Sequence, residues 1–217
     1  MNSVRNRNLL ETIVISLESH YPNEQDWVVK LFEAGLSRYH LRKPFLTDEE
    51  LEEYLSQIPE KWLRQVIPHQ SHYMVEARDL GGWHFKDDAK NLQKAEALMK
   101  SRQKSLILSR TIHSLDDLNE DLSQWDYVML GPVFHSISKG NYGPKWEEAQ
   151  LTAALRYCKD AYRTRVYALG GVDESKSQRC ERMGFDGLAL LGCIWKTPNP
   201  LESFLKVKLA VEENFRS

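Results

Sequence analysis

The sequence predicts a single (β/α)8 barrel over residues 1–217. Short apolar runs alternate with longer amphipathic segments along the chain. The alternation repeats eight times at about 27 residues per unit, a spacing suited to a compact barrel. No linker or low-complexity run interrupts it, and 217 residues suffice for one sizeable core but are tight for two. A doubly wound open sheet also alternates strands and helices, but eight units with nothing left over favour closure.

The elements follow in order. The first apolar run covers 12–16, followed by a helical pattern over 25–34 that Gly35 closes. The second covers 38–42, then a helix over 47–58 opened by Thr47-Asp-Glu-Glu, the sequence of a capping box. The third covers 62–68, then a helix over 73–80 stopped by Gly81 and Gly82. The fourth covers 83–85, then a helix over 88–102. The fifth covers 105–112, then a helix over 114–122 with Ser114 at its start. The sixth covers 127–134, then a helix over 146–162. The seventh covers 165–169, then a helix over 174–183 closed by Gly184. The eighth covers 187–191, then a helix over 201–215 starting near Pro200.

Composition narrows the function. Lys plus Arg number 29 against 31 Asp plus Glu, so no basic excess supports binding to nucleic acid or to an anionic membrane surface. Mean hydropathy is −0.54, and the strongest apolar stretch, 188–195, is far too short to span a bilayer. The first residues carry two arginines but no apolar signal core, so export is not expected. Cys158, Cys180 and Cys193 are scattered, as free thiols in a reducing cytoplasm would be.

A barrel of this kind carries its active site at the carboxyl ends of its strands. All seven histidines fall on strands or just beyond them. Any one could simply fill a barrel layer, but seven at one rim point to a ligand site. On strand 2, Tyr39 and Leu41 share one face and His40 and Arg42 the other. The apolar pair should face the helices, placing His40 and Arg42 inside. An interior arginine requires an anion, either a carboxylate such as Glu18 or a bound phosphate. Strand 7 ends in Gly170-Gly171 and strand 8 in Leu191-Gly192. Glycine-exposed amides after these two strands form the phosphate site of many barrels. Lys139 lies in a Ser- and Gly-rich loop that could fold over a ligand and bring the ammonium to a second phosphate. His69-x-x-His72 lacks carboxylate partners and is a weak metal signal. Asp87 and Asp88 offer the hard oxygens that magnesium prefers, although acidic residues also suit a helix start. No Ser–His–Asp arrangement or Walker loop is present.

Several pieces resemble one family. Asp126-Tyr-Val-Met-Leu-Gly-Pro-Val-Phe, Ser138-Lys139, Tyr167-Ala-Leu-Gly-Gly-Val and Phe185-Asp-Gly-Leu-Ala-Leu-Leu are similar to the thiamine phosphate synthases and the related thiazole tautomerases. Tyr39-His-Leu-Arg42, Gly82-Trp-His84-Phe and Thr111-Ile-His113-Ser114 agree, so the resemblance runs from about Val29 to Pro200. It implies the barrel, a cytoplasmic enzyme, and a transferase joining a pyrimidine methyl diphosphate to a thiazole phosphate. Pyrophosphate leaves first and the thiazole nitrogen captures a pyrimidine carbocation. It further implies Arg42, Lys139 and Thr111 as the catalytic diphosphate contacts, and Gly171 with the Leu191-Gly192 backbone on the thiazole phosphate. The neighbouring rim residues His40, Lys43, His69, Gln70, His84, His113, Ser138 and Gly170 are the expected substrate contacts. Magnesium is the implied cofactor, with Asp87 and Asp88 as its candidate ligands.

The chain also departs from the family pattern. Pro44 stands where a basic residue follows the strand 2 arginine, and Lys43 is displaced by one. His69-Gln70 stands where strand 3 ends in Asn-Asp, the aspartate on magnesium. The second magnesium aspartate aligns with Ala89, one residue after Asp88. A tautomerase would have a histidine at Pro132. The expected partners are phosphorylated small molecules, with no nucleic acid and no membrane. A tautomerase-like or salvage enzyme, or a non-catalytic binding paralogue, is the alternative. A homodimer is the candidate assembly, with Trp27, Trp62 or Trp146 available for an interface.

Overall fold

The computed structural model describes residues 9–100, 105–135 and 146–216. Eight parallel strands, β1 (Glu11–Ile15), β2 (Arg38–Leu41), β3 (Val66–Pro68), β4 (Gly82–Phe85), β5 (Ile107–Ile112), β6 (Tyr127–Leu130), β7 (Arg165–Leu169) and β8 (Gly187–Leu190), form one sheet. Its order is β3-β2-β1-β8-β7-β6-β5-β4. The end strands β3 and β4 lie side by side, and the Gly81 amide donates to the Val66 carbonyl at 2.9 Å across that seam. The sheet therefore wraps into a nearly closed barrel.

The outer layer is helical. It comprises α1 (Glu24–Glu33), α2 (Asp48–Ser56), the short α3 (Glu60–Leu63) and α4 (Met74–Ala77), and α5 (Ala89–Met99). Then come α6 (Glu148–Tyr162), α7 (Ser177–Met183), the single turn α8 (Gly192–Trp195) and α9 (Pro200–Arg216). Thr47 starts α2 with a true capping box, its hydroxyl accepting from the Glu50 amide and Glu50 accepting from the Thr47 amide. Gly35 and Gly184 adopt φ +96° and +101°, the left-handed geometry that ends α1 and α7 at these glycines.

Strand alternation builds two cores. Outward residues such as Val14, Tyr39, Leu41, Leu188 and Leu190 join the helices in the larger cluster. Inward residues Ile13, Ile15, Tyr127, Met129, Tyr167 and Ala189 fill the barrel itself. At the amino end, Glu11 is held by Arg38, Tyr167 and by Arg165 at 2.8 Å, beneath Tyr127 and Tyr167 rings stacked 4.6 Å apart. Burial would raise the Glu11 pKa, but Arg38 and its other partners outweigh it and hold the carboxyl below its ordinary range. This closed floor leaves the carboxyl end of the barrel for chemistry.

Three expected elements change form. The helix expected over 114–122 is a 3-10 turn at Asp116–Asn119. The Asp117 carboxylate takes the His113 and Ser114 amides at 3.2 and 2.9 Å, and Asp121 takes the Ser123 amide at 3.0 Å. These side-chain bonds compete with an α-helical ladder. The apolar run 62–68 opens in the last two residues of α3, where Trp62 stacks on Phe32 at 5.2 Å, and turns at 64–65, leaving only three residues for β3. β6 stops at Leu130 because Pro132 has no amide to extend the ladder. No helix among the described residues is long and apolar enough to cross a membrane.

Candidate active site

Inward positions toward the carboxyl ends of β2 to β6 bring His40, His69, His84, Ser109, Thr111 and Tyr127 together. His40 is fully buried. Its Nε2 meets the Tyr127 hydroxyl at 2.6 Å and its Nδ1 meets His69 Nε2 at 3.0 Å. His84, equally buried, meets the Ser109 hydroxyl through Nδ1 and the Thr111 hydroxyl through Nε2, both at 2.9 Å. The His69 and His84 rings stack with centroids 4.0 Å apart, and His40 stands edge-on to both at 5.2 and 5.1 Å. His69 is half-buried and forms the open side.

These imidazoles are neutral. Burial drives His40 and His69 well below the ordinary histidine range, and the charges of neighbouring His84 and arginines add to it. His84 falls to about 3 for the same first reason, with His72 and Arg42 adding to it. Histidines here supply lone pairs and hydrogen bonds, not positive charge.

Charge at the mouth comes from Arg42, whose guanidinium pairs with Glu18 at 2.5 Å; both are about one-third exposed (32% and 39%). Ser16 fixes the backbone beneath it, its hydroxyl accepting from the Arg42 amide at 2.7 Å and donating to the Arg42 carbonyl at 3.0 Å. The anion that the interior arginine requires is thus supplied by a carboxylate that an incoming phosphate can displace.

The glycine cup is formed as the strand ends require. Gly170 and Gly171 have φ +91° and +67°. Their loop receives the segment after β6, with the Val133 amide on Leu169 O at 2.9 Å and the Phe134 amide on Gly170 O at 3.0 Å. A side chain at Gly171 would lie 2.5 Å from the His135 carbonyl oxygen. Leu191 precedes α8, whose Ile194 and Trp195 amides turn back onto the Leu191 carbonyl at 3.1 and 3.0 Å, leaving the Gly192 and Cys193 amides at the start of the turn. Trp195 anchors α8 by donating to the Ile15 carbonyl at 2.7 Å.

Other expected site residues fall elsewhere. Lys43 shares the outward face of β2 with Tyr39 and Leu41. Its ammonium is buried on Glu24 at 2.5 Å and on the Ser19 carbonyl at 2.9 Å, so it is not a substrate contact in this geometry. Gln70 donates to the Lys43 carbonyl. His72 turns away from His69, its Nε2 on the His84 carbonyl at 3.0 Å. His113 meets the Gly131 carbonyl at 2.9 Å. Ser138 and Lys139 lie outside the described residues.

The expected magnesium ligands do not converge. Asp88 is the N-cap of α5, its carboxylate taking the Asn91 amide at 2.9 Å and the Asn91 side chain at 2.5 Å. Asp87 is exposed, and partial burial together with the charge of Asp117 raises its pKa. Among the described residues no group of carboxylates is brought together for a hard ion. Among the described residues, the side chains brought together with metal-binding nitrogens are His40, His69 and His84. The residues present therefore do not fit magnesium.

Sequence reasoning did not single out Tyr127 or Ser109, which orient His40 and His84. The alternation on β5 and β6 held the signal, since Ser109 shares the inward face with Thr111 and Tyr127 with Met129.

The sequence pattern of the thiamine monophosphate synthase family matches residues 12–194. A thiamine-phosphate synthase of Chlamydia caviae is 25% identical over 87% of this chain and 88% of its own. One from Chlamydia abortus is 24% identical over 96% and 98%. Among solved structures, a thiamine phosphate pyrophosphorylase from Bacteroides thetaiotaomicron is 27% identical, with a TM-score of 0.74 over 94% of this chain and 98% of that one. The enzyme of that name from Pyrococcus furiosus, at 19% identity and a TM-score of 0.75, supports the fold.

Proposed function

The chain belongs to the thiamine monophosphate synthase family, and from that premise we propose that it joins a pyrimidine methyl diphosphate to a thiazole phosphate. The products are thiamine phosphate and pyrophosphate. One observation carries the reading: the family match covers the barrel from β1 to α8, and its rim presents Arg42, Thr111 and the Gly170-Gly171 cup together at the carboxyl end.

In this reading the C–O bond between the pyrimidine methylene and the diphosphate breaks. The electron pair leaves with pyrophosphate, and the thiazole nitrogen forms the new C–N bond. Arg42 exchanges Glu18 for the diphosphate and stabilises the charge that develops on it. Thr111, held by His84, donates its hydroxyl to the same group, to which the resemblance also assigns Lys139. Gly171 and the Leu191-Gly192 amides hold the thiazole phosphate, which aligns the two reactants. Buried neutral histidines line the wall and keep water from the cation. The reading places the enzyme in the cytoplasm, with phosphorylated small molecules as its partners and a homodimer as its assembly.

The test is a synthase assay on purified protein with both substrates, with magnesium and then with a chelator. Thiamine phosphate is the expected product. Its absence under every metal condition would overturn the assignment.

A further inference from the structure

The mouth of this barrel carries three imidazoles, His40, His69 and His84, while the positions where the resemblance calls for magnesium aspartates hold Gln70 and Ala89. One nitrogen from each of His40, His69 and His84 lies within 4.8 Å of the other two. His40 Nδ1 and His69 Nε2 are 3.0 Å apart, close to the edge of about 3.3 Å expected between nitrogens at 2.0–2.1 Å from a tetrahedral ion. The remaining ring nitrogens already have outer partners, Tyr127 on His40 Nε2 at 2.6 Å and Ser109 on His84 Nδ1 at 2.9 Å. Such a partner fixes the His40 ring and directs its Nδ1 lone pair at a metal, whereas His84 Nε2 here meets the Thr111 hydroxyl at 2.9 Å. We propose that His40, His69 and His84 form a three-imidazole site for a divalent ion of the zinc class, open on the His69 side.

Three features favour this site. The donors are all nitrogen, which selects Zn2+, Co2+ or Ni2+ over Mg2+. Three protein ligands leave one position free for a substrate oxygen, the usual form of a reactive zinc site. A cavity of about 570 Å3 reaches His69 from the side of α5 and is also lined by Gln70, His72, Lys86 and Lys94. Its ammonium groups suit an anionic ligand beside the metal. Loading requires His84 to rotate out of its stack on His69, and its Nε2 to give up Thr111. The role of the ion, holding a diphosphate oxygen, rests on the synthase reading above; the binding itself does not.

The experiment uses untagged full-length protein stripped with a chelator. Equilibrium dialysis against Zn2+, with metal content measured by mass spectrometry, should give one ion per chain. Mg2+ at the same concentration should not be retained. The Co2+ form should show the intense visible absorption of a four-coordinate site. His69→Ala, at the half-exposed position, should weaken Zn2+ binding more than about 100-fold, and Tyr127→Phe about tenfold. His135→Ala, outside the cluster, should change nothing. No stoichiometric Zn2+, equal retention of Mg2+, or undiminished binding by His69→Ala would overturn the proposal. Zn2+ binding without thiamine phosphate formation would sink the synthase reading and leave the site standing. Synthase activity in protein that binds no Zn2+ would do the reverse.

Discussion

Lys43→Met separates a substrate contact from a structural one. Lys43 and Glu24 are 3% and 2% exposed, and their charged atoms are 2.5 Å apart. Glu24 also accepts the Tyr39 hydroxyl at 2.7 Å, and Tyr39 meets Tyr54 at 2.9 Å. Burial already raises the Glu24 pKa against the pull of Lys43. Removing the ammonium leaves a buried carboxyl that must either stay charged with one neutral donor or take up a proton. Breaking one side of a buried pair costs about 3–5 kcal/mol. For a chain of this length that lowers the melting temperature by roughly 10 °C. Replacing both partners, Glu24→Gln with Lys43→Met, restores most of the loss, because no charge is then buried. Thermal unfolding at neutral pH measures the stability, and steady-state kinetics measure KM for the pyrimidine diphosphate. The expected result is a large loss of stability in the single variant, recovery in the double variant, and little change in KM. An unchanged melting temperature with a KM raised tenfold or more would place Lys43 on the substrate and refute the reasoning.

Three further outcomes are expected. Arg42→Ala should lower kcat about 100-fold, as loss of one preorganised charge stabiliser does. It should alter stability by less than about 1 kcal/mol, because the Glu18 pair is one-third exposed; unchanged turnover would remove Arg42 from the diphosphate. Gly171→Ala should cost more than the about 1–2 kcal/mol of a side chain at φ +67°, because its Cβ would also lie 2.5 Å from the His135 carbonyl oxygen, and should raise KM for the thiazole phosphate selectively, whereas equal effects on both substrates would argue against the cup. Stability should also fall on acidification. His40, His69 and His84 have folded pKa values below the unfolded value near 6.5, with His84 at about 3. Their contribution is complete above the unfolded pKa and is lost as pH falls toward the folded values, by up to about 1.4 kcal/mol per pH unit for each histidine. Denaturant midpoints that stay flat between pH 6.5 and 4 would show that these rings are charged or exposed.

The barrel was legible because its signals are local and repeated. Apolar runs set the strands, and Thr47, Gly35 and Gly184 set the helix ends where the caps occur. Period-two alternation puts His40 inside and Tyr39 outside, and Glu18 is the carboxylate that an interior Arg42 calls for. The same alternation argued against Lys43 as a site residue, since it keeps Tyr39 and Leu41 company, yet its place in the motif drew it toward the substrate. Asp87 and Asp88 show a different limit. Asp88 has the composition of a metal ligand and the position of a helix cap, and only the Asn91 contacts decide between them. The His40–His69–His84 cluster joins three strands, and its closeness depends on how the β3–β4 seam brings those strands around. No spacing within one segment encodes that distance.

Charge balance gives the three-imidazole site a consequence for turnover. A magnesium ion on two aspartates adds no net charge to a diphosphate site. Removing both the ion and the carboxylates therefore leaves the net charge unaltered and takes away coordination alone. A divalent ion on neutral imidazoles instead adds two positive charges, with Lys86 and Lys94 lining the cavity that reaches His69. An anion of high charge should then bind more tightly, both as the departing group in the transition state and as free pyrophosphate. If release of the product becomes slow, it limits kcat. Pyrophosphate should inhibit the Zn2+-loaded enzyme at least tenfold more strongly than the stripped enzyme assayed in magnesium, and added salt should narrow the difference by screening. Product-inhibition constants for the two forms test this directly. Equal constants would mean that any ion held by His40, His69 and His84 does not touch the diphosphate, and the cluster would then act on the reaction only through Thr111 and the shape of the wall.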